Sequence, residues 1–391
     1  MKIKLRQAFD LQMGKTPARN RPDYWNGDHK WISIADIGNA GKILTKTKES
    51  ITEAGIDGSG IKVVPQGTVI MSFKLSIGKT AITSEDMYTN EAIMAFIDNG
   101  KFAVDTDYLY HLCCGTNWTA GTNKAVMGLT LNKATLLEKE IPLPDINEQH
   151  EIATKLDKID AIIAERQQQL ELIDQAVKSR FIELFGDPVT NPYGWQQLTV
   201  NDVCVSVVRG PFGSALKKEF FVPPSDTTYK VYEQKHAIQK SSTIGTYYVT
   251  AEKYNELRRF ECHSGDILMS CSGTMGELYQ LPAGCERGII NQALCKFTLN
   301  ERILPIVFLA YMRETIGNLE TKGSGIQNIA AVSYVKAMPI NLPPMRVQEQ
   351  FATFVEQADK SKYYSSLSFR YCQAAANTYR QEWMTCRTSD F

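Results

Sequence analysis

Two stretches of the chain share one seven-residue pattern of apolar side chains, and this pattern constrains the fold more than any other feature. In the first stretch, the seam positions follow at alternating steps of four and three over about forty residues, without proline or glycine. This seam consists of Ile152, Leu156, Ile159, Ile163, Leu170, Ile173, Val177 and Leu184, with Arg166 and Arg180 at the two remaining positions. At ~1.5 Å per residue the pattern predicts a helix about 60 Å long. Pro142 and Pro144 precede it and the segment 185–188 ends it, as expected at helix boundaries.

The second stretch lies 199 positions downstream and keeps the register, so that Gln149 corresponds to Gln348. Its seam consists of Phe351, Val355, Phe369, Ala376, Tyr379 and Trp383, with Ala358, Lys362, Ser365 and Cys372 at the weaker positions. A strict 3.5-residue repeat needs a partner helix to bury its seam. The two stretches are therefore predicted to pair within one chain as an antiparallel coiled coil.

Each long helix follows a globular segment, and the two segments resemble each other. Gly67-Thr-Val-Ile-Met-Ser72 matches Gly265-Asp-Ile-Leu-Met-Ser270, and Asn90 to Phe96 matches Asn291 to Phe297. Short β-like runs alternate with glycine-rich turns, and a helix is predicted over 105–114, which is typical of an α+β domain. The predicted organisation is a first domain at 1–143, a helix at 144–186, a second domain at 193–342 and a helix at 343–386.

The amino-acid composition limits which functions and partners the chain can have. Lys plus Arg and Asp plus Glu both number 43, so a nucleic-acid surface would have to be a local patch. The nine cysteines show no metal-like spacing and are expected to be reduced thiols. With no run of 18 apolar residues and no signal sequence expected at residues 1–4, the chain is predicted to be cytoplasmic.

Several short motifs resemble enzyme signatures without completing them. The Gly-Lys-Thr tripeptides at 14–16 and 78–80 lack the earlier glycine of a phosphate-binding loop, since Phe9 and Phe73 stand there. The segment 191–194 lacks the second proline of an adenine methyltransferase box and is interpreted as a turn. Asp226 with the segment 233–235 is a weak nuclease-like pattern, and the five histidines form no catalytic constellation. No catalytic residue and no metal site are predicted.

Basic and polar loops are the candidate DNA contacts, because phosphates take Lys, Arg, hydroxyls and backbone NH groups while bases take Arg, Lys, Asn or Gln. In the first domain the candidates are Lys15, Thr16, Arg19 and Arg21 in the turn 14–21, Lys74 and Lys79 in the loop 74–79, and Asn123 and Lys124. In the second they are Arg209, Ser214, Lys217 and Lys218 in the equivalent turn 209–218, Ser272 and Thr274 in the loop 270–274, and Lys322, Gln327 and Asn328. For any single residue, the alternative is a solvated surface charge or a turn-forming role. Taken together, the loops favour an interpretation as DNA contacts.

The order of parts, the run Ile141-Pro-Leu-Pro-Asp-Ile-Asn-Glu-Gln149 with its echo at 340–348, and the helix exit at 185–195 resemble the specificity subunit of type I restriction–modification systems. The resemblance implies two target recognition domains, each reading one half of a bipartite site in double-stranded DNA. It implies that the helices set the gap between half-sites and dock two methyltransferase subunits. It further implies a non-catalytic chain without its own cofactor, with S-adenosylmethionine on the methyltransferases and ATP on restriction subunits that could join the complex.

Two other classes of function stay open at this point. A self-contained DNA methyltransferase or nuclease with a duplicated target domain would need a cofactor or metal site. A two-headed protein-binding scaffold would need no DNA affinity. Within the helices, Arg166 and Arg180 could fix the register or extend their charges to the seam edge. Five aromatic residues are candidates either for partner contact or for packing: Tyr363, Tyr364, Tyr371, Tyr379 and Trp383.

Overall fold

The computed structural model describes residues 1–119, 131–316 and 332–385. The chain forms two compact units, Met1–Gln168 with Ser366–Phe391 and Gln169–Ser365. The division falls inside the two long helices, so each helix contributes one half to each unit. The sequence places its domain boundaries at 143 and 342, where the globular segments are expected to end. These boundaries stay predictions.

Unit 1 contains the first globular segment. Its strands are β1 Lys2–Lys4, β2 Phe9–Met13, β3 Trp25–Ile32, β4 Ile43–Leu44, β5 Glu49–Ile51, β6 Val69–Ser72, β7 Thr80–Thr83, β8 Tyr88–Thr89, β9 Ile93–Asp98 and β10 Glu140–Pro142. Its helices are α1 Leu5–Ala8, α2 Ile34–Asn39, α3 Glu53–Ser59, α4 Thr106–Gly115, α5 Lys133–Leu137 and the first half of α6 Ile146–Phe185. The predicted helix at 105–114 is α4, which begins after the capping residue Asp105.

The main sheet of unit 1 has the strand order β2-β9-β6-β7-β4, beside a β5-β3-β8 sheet and a β1-β10 pair. Its central strands are apolar on both faces, and alternate side chains enter two different cores. One face packs with α4 and α6 around Met71, Phe96 and Leu156. The opposite face packs around Ile70 and Ile93. The long helix is thus part of the core of the unit that contains its first half.

Unit 2 contains the second globular segment. Its strands are β11 Gln196–Thr199, β12 Cys204–Arg209, β13 Thr228–Tyr232, β14 Tyr248–Thr250, β15 Glu261–Cys262, β16 Ile267–Ser270, β17 Leu278–Gln280, β18 Gly288–Ile290, β19 Leu294–Leu299 and β20 Pro339–Leu342. Its helices are α7 Gln234–Ile238, α8 Ala251–Glu256, α9 Pro305–Thr315, α10 Val332–Lys336 and the first half of α11 Met345–Thr385. The second half of α6 completes the unit.

The sheets of unit 2 repeat the plan of unit 1. The β12-β19-β16-β17 sheet corresponds to β2-β9-β6-β7, and β11-β20 corresponds to β1-β10. The second sheet differs, because β14-β13-β18-β15 has four strands where unit 1 has three. The repeat predicted from the matching segments is therefore clearest in the layer that packs on the long helices.

Each long helix is attached to its own globular segment by one buried glutamine. The Gln149 amide donates to the carbonyls of Ala103 and Pro144, both at 3.0 Å, and its oxygen accepts from the Asp105 NH at 2.8 Å. In unit 2, Gln348 donates to the carbonyls of Arg302 and Pro343 at 2.9 and 3.0 Å and accepts from the Leu304 NH at 2.9 Å. A buried amide that uses both its donors and its acceptor fixes the angle at which the helix leaves the sheet.

Within unit 2 the helix halves run antiparallel. Lys362 of α11 bonds to Asp174 of α6 with an N–O distance of 2.6 Å. Further along α6, Phe181 packs on Phe351, which lies earlier in α11, with ring centroids 5.8 Å apart. Arg180 donates to Glu183 at the edge of the helix, so its stem packs while its charge reaches outward. The predicted α+β fold with paired long helices is confirmed.

The predicted seam positions are the covered side of each long helix. All seam positions of α6 from Ile152 to Leu184, and those of α11 from Phe351 to Tyr379, are buried or half-buried. Tyr379 packs on the core of unit 1, whereas Tyr363, Tyr364 and Tyr371 are 60, 69 and 76% exposed. The side chain of Trp383 lies outside the described residues. Over the described ranges, neither long helix nor any other helix is apolar enough to cross a membrane.

Candidate nucleic-acid interface

The turn 14–21, here called the basic turn of unit 1, leaves the sheet at a glycine that has no room for a side chain. The Gly14 NH donates to the Ile93 carbonyl at 3.3 Å, and the Lys15 NH donates to the Thr89 carbonyl at 2.9 Å. A Cβ placed on Gly14 would lie 2.0 Å from the Thr89 carbonyl oxygen. The basic turn is therefore pinned where β8 leads into β9.

Gly210 has the same role in the basic turn of unit 2, residues 209–218. Its NH donates to the Leu294 carbonyl at 3.0 Å, and a Cβ on it would lie 1.9 Å from the Asn291 carbonyl oxygen. The chain then forms two short 3-10 segments, Gly213–Leu216 and Lys218–Phe220. The equivalence of the two turns, predicted from sequence, is present in the backbone.

A second element, here called the serine loop, follows the central strand of each sheet. In unit 1 it spans 72–79, where the Ser72 hydroxyl accepts from the Lys79 NH at 3.1 Å and donates to the Ser76 carbonyl. The Gly78 NH donates to the Ser72 carbonyl at 2.9 Å. These bonds hold the two ends of the loop together, and Leu75 at its tip is 87% exposed.

The serine loop of unit 2 spans 270–277 and has the same bonds. The Ser270 hydroxyl accepts from the Glu277 NH at 2.9 Å and donates to the Thr274 carbonyl at 2.6 Å. The Gly276 NH donates to the Ser270 carbonyl at 2.9 Å. One serine therefore shapes a loop of the same length in both units.

A third element, here called the asparagine turn, comprises 90–92 in unit 1 and 291–293 in unit 2. The Asn90 side chain accepts from the Ala92 NH at 3.0 Å, and the Asn291 side chain accepts from the Ala293 NH at 3.1 Å. The residues between them, Glu91 and Gln292, are exposed. Neither was predicted as a contact, because this segment drew attention only as part of the repeat.

The three elements meet in unit 1. The Phe73 NH of the serine loop donates to the Ala92 carbonyl of the asparagine turn at 3.0 Å. The Thr16 hydroxyl of the basic turn donates to the Glu91 carboxylate. That hydrogen bond lowers the pKa of Glu91, and the charges of Lys74 and Arg19 lower it further. Glu91 therefore lies next to Thr16 and near the charges of Lys74 and Arg19.

Two arginines of the basic turn are held by acids of their own unit. Arg19 forms a two-point ion pair with Glu49 and lies 3.9 Å over the Trp25 ring. Arg21 donates to both oxygens of Asp23 at 2.9 and 2.7 Å. Lys15 donates to the Ser59 carbonyl at 3.1 Å. These side chains hold the turn in place, and DNA would have to compete with the acids for the arginines.

The three elements also meet in unit 2, with different side chains. Arg209 is 9% exposed, its Nε lies 3.5 Å from the Gln292 carbonyl, and its guanidinium lies 5.0 Å from the Phe212 ring. The Cys271 NH of the serine loop donates to the Ala293 carbonyl at 2.8 Å. Arg209 is thus placed beneath the asparagine turn rather than in solvent.

Of the other predicted residues of unit 2, some bond to neighbours within the unit and some lie outside the described ranges. Ser272 donates through its hydroxyl to the Gln234 side chain at 3.3 Å, and the Thr274 carbonyl lies 3.4 Å from the same amide. Lys217 pairs with Glu219 at 3.5 Å. The predicted contacts outside the described residues are Asn123 and Lys124 in unit 1 and Lys322, Gln327 and Asn328 in unit 2.

A groove along β2 adds three cations that were not predicted from the sequence, namely Arg6, Lys62 and Lys133. The predicted residue Lys15 also lines it, and Asp10 is its one acid among the described lining residues. These residues are far apart in sequence, so no local motif could have predicted them. β2 is the outer strand of its sheet, which leaves the groove open to an extended anionic ligand.

Equivalent turns and loops on two similar sheets, each attached to a long helix, define a class of protein with two matching domains. The family model for the type I restriction modification DNA specificity domain matches residues 1–173 and again 192–363. The chain belongs to this family, in agreement with the resemblance predicted from its helix boundaries.

The matching relatives are specificity subunits of type I restriction enzymes. The specificity subunit of the type I restriction enzyme MjaIX from Methanocaldococcus jannaschii is 29% identical over 203 residues, covering 51% of this chain and 46% of its own length. The EcoprrI specificity subunit from Escherichia coli is 27% identical over 177 residues, covering 42% and 43%. The chain spans about half the length of the curated relatives it matches.

Solved structures share the fold along nearly the whole chain. A chain from a type I restriction–modification system, solved to explain complex assembly and conformational transition, aligns with a TM-score of 0.66 at 16% identity, covering 98% of this chain and 97% of its own. The S subunit of a type I system from M. genitalium aligns with a TM-score of 0.51 at 13% identity, covering 98% and 96%. Because these chains are only 16% and 13% identical to this one, the comparison establishes a shared fold.

Proposed function

We propose that this chain is the DNA-specificity subunit of a type I restriction–modification complex, in which each recognition domain reads one half of a bipartite site. The observation that carries the proposal is that one surface is built twice. In both units the basic turn, the serine loop and the asparagine turn meet through equivalent backbone bonds. Two equivalent surfaces on one chain suit a ligand with two separated, similar sites, as duplex DNA offers.

The chemistry of the surface supports a duplex ligand. Lys74 and Lys79 in unit 1, with Lys217 and Lys218 in unit 2, supply cations for phosphates, and the turns supply backbone NH groups. The groove beside β2 extends the positive surface of unit 1. Phosphate contacts would orient each domain, and exposed polar side chains at the asparagine turn would reach base edges.

Partners would supply the chemistry that follows recognition. The chain is proposed to be non-catalytic and to dock two methyltransferase subunits that bind S-adenosylmethionine, and, in a restricting system, restriction subunits that use ATP. Exposed aromatic side chains on α11, namely Tyr363, Tyr364 and Tyr371, support a protein-docking role for that helix. A complex that modifies cellular DNA would be cytoplasmic in a prokaryotic cell.

The decisive experiment maps the methylated motif in DNA from cells that express this chain with a cognate methyltransferase. Replacing residues 193–342 with the second domain of another family member is expected to change one half of the motif and to leave the other half unchanged. A change in both halves would contradict independent reading by the two domains. Methylation or cleavage by the purified chain alone would support a self-contained enzyme instead.

Binding measurements separate the proposal from a protein scaffold. The complex with methyltransferase is expected to bind its motif more tightly than unrelated duplexes, with an affinity that falls as salt rises. Equal, negligible affinity for every duplex at low salt, with the methyltransferase present, would favour a scaffold.

A further inference from the structure

Glu91 and Gln292 occupy the same place in the two units. Each follows the asparagine whose side chain closes the turn, and each turn begins with a backbone bond to the neighbouring sheet. The Asn90 NH donates to the Ile32 carbonyl at 3.0 Å, and the Asn291 NH donates to the Tyr232 carbonyl at 2.9 Å. The main chain at this position is therefore held in the same way twice, while the side chain is free to differ.

The neighbours of this position are the two other elements of the surface. In unit 1, Thr16 bonds to Glu91, and Lys74 and Arg19 lie close enough to affect its ionisation. In unit 2, Arg209 lies against the Gln292 carbonyl. The exposed Glu91 side chain lies near these cations, and the exposed Gln292 side chain lies above the nearly buried Arg209. A ligand bound on either surface would therefore meet residue 91 or 292.

The two side chains have similar shapes but differ in charge and in hydrogen-bonding capacity. Glu91 is a carboxylate that only accepts, and its Thr16 bond with the nearby cations favours the ionised form by lowering its pKa. Gln292 has nearly the same shape but both donates and accepts. Base reading requires a main chain held in a fixed position that presents a polar side chain, and the identity of this side chain can differ between domains.

We propose that Glu91 and Gln292 are specificity-determining residues, each reading one base pair of its half-site; this inference rests on the proposed DNA-recognition function. A carboxylate in the major groove accepts from the amino group of cytosine or adenine and repels the oxygen acceptors of guanine and thymine. Glutamine pairs with the N6 amino group and N7 of adenine. Glu91 therefore selects an amino-bearing base, and Gln292 selects adenine.

The test exchanges the two side chains. Glu91→Gln is expected to alter the preference at one base pair in the first half-site and to leave the second half unchanged, and Gln292→Glu is expected to do the converse. Affinity for the original motif should fall roughly tenfold or more, as for loss of one base contact. The readouts are the methylated motif in cells and binding of the methyltransferase complex to a randomised duplex library.

Two control variants separate base reading from other roles. Glu140→Gln on β10 removes the same charge outside the surface, so it should leave the motif and the library preference unchanged. Thr16→Val removes the hydroxyl that bonds to Glu91 but leaves the carboxylate in place. Because Thr16 is itself a candidate contact, only a change at the same base pair and to the same bases as in Glu91→Gln counts here. That outcome would mean that Glu91 acts by positioning the basic turn, and the inference would be wrong.

The remaining outcomes are equally distinct. An unchanged motif with full methylation in both exchange variants would overturn the inference while leaving the proposed function in place. A loss of affinity equal for every duplex in the library would assign these side chains to phosphate or structural roles and would also overturn it. A wild-type complex that binds no duplex preferentially would instead reject the proposed function, and the inference with it.

Discussion

Arg380 donates through one guanidinium nitrogen to both carboxylate oxygens of Asp160, each at 2.6 Å. In unit 1 this pair connects the last turns of α11 to the first half of α6. Asp160 also lies 3.8 Å from the His111 ring of α4. The preceding acid of α6, Asp157, accepts from His111 and Lys42. Within unit 1, one polar network thus joins both long helices to the first globular segment.

Replacing Arg380 with Met should lower the free energy of unfolding of unit 1 by roughly 1–3 kcal/mol, because the Arg380 side chain is 14% exposed and Asp160 would lose its partner. The loss is measured by unfolding the protein in denaturant and monitoring hydrogen exchange in peptides from unit 1. Lys362→Met is the matched control in unit 2. Its pair with Asp174 is 42 and 62% exposed, so it should cost no more than ~1 kcal/mol. Equal losses in the two variants would contradict a special role for the Arg380 network.

His111 should make unit 1 less stable in mild acid. The ring is buried beneath Asp157, and burial lowers its pKa more than the nearby carboxylates raise it. The unfolded chain therefore takes up a proton near pH 6.5, whereas the folded unit does so only at lower pH. The stability linked to His111 is present above about pH 6.5 and declines as the pH falls, by at most ~1.4 kcal/mol per pH unit.

The variant His111→Gln keeps an amide donor for Asp157 but does not titrate. The difference in unfolding free energy between pH 7.5 and 5.5 should shrink in unit 1. His236 provides the internal control, because burial also lowers its pKa and it lies in unit 2. The pH effect on unit 2 peptides should persist in the variant. An undiminished effect in unit 1 would assign the acid sensitivity to other groups.

The glycines that begin the basic turns should not tolerate a methyl group. Gly210→Ala would place a Cβ 1.9 Å from a backbone oxygen, so the turn must move away from the asparagine turn. We expect a loss of roughly 1–3 kcal/mol in unit 2 and weaker DNA binding, measured by denaturation and by titration with duplex. Gly41→Ala meets nothing within 4 Å and is the control. Unchanged stability in Gly210→Ala would show that the turn has room to shift.

Features that depend on local periodicity were predictable from the sequence. The 3.5-residue repeat specifies which side of α6 is covered, and burial of Ile152 and Leu156 follows from it. The internal repeat likewise placed Ser72 and Ser270 in corresponding loops. Hydrogen bonds from a serine to residues four and seven positions away are local, so equal segments form equal loops.

The candidate site was less predictable, because it depends on residues far apart in sequence. Arg19 looked like a phosphate contact until the fold brought Glu49 and Trp25 onto it. Arg209 lies nearly buried because β12 and the asparagine turn close around it. Glu91 drew no notice because a single acid carries no motif. Its significance comes from the turn and the loop that meet beside it.

The 199-residue register predicts that the long helices determine the spacing of the two half-sites. One heptad added after Gln168 and another after Leu367 would keep every seam position in phase. Both sites lie at or next to the division between the two units, so contacts within each unit would be preserved. The additions lengthen each helix by about 10 Å, at ~1.5 Å per residue.

At ~3.4 Å per base pair, this lengthening corresponds to roughly three base pairs. With ~10.5 base pairs per turn, three base pairs rotate the second half-site by about a hundred degrees, so the second recognition domain would face partly away from its groove. We expect weak methylation of a motif with the same halves and a longer gap, or loss of methylation with the fold intact, as judged by sequencing methylated DNA and by circular dichroism. A heptad added after Gln168 alone, which shifts one seam against the other, should destabilise the helix pair. Full methylation of the original motif by the doubly lengthened chain would show that these helices do not set the spacing.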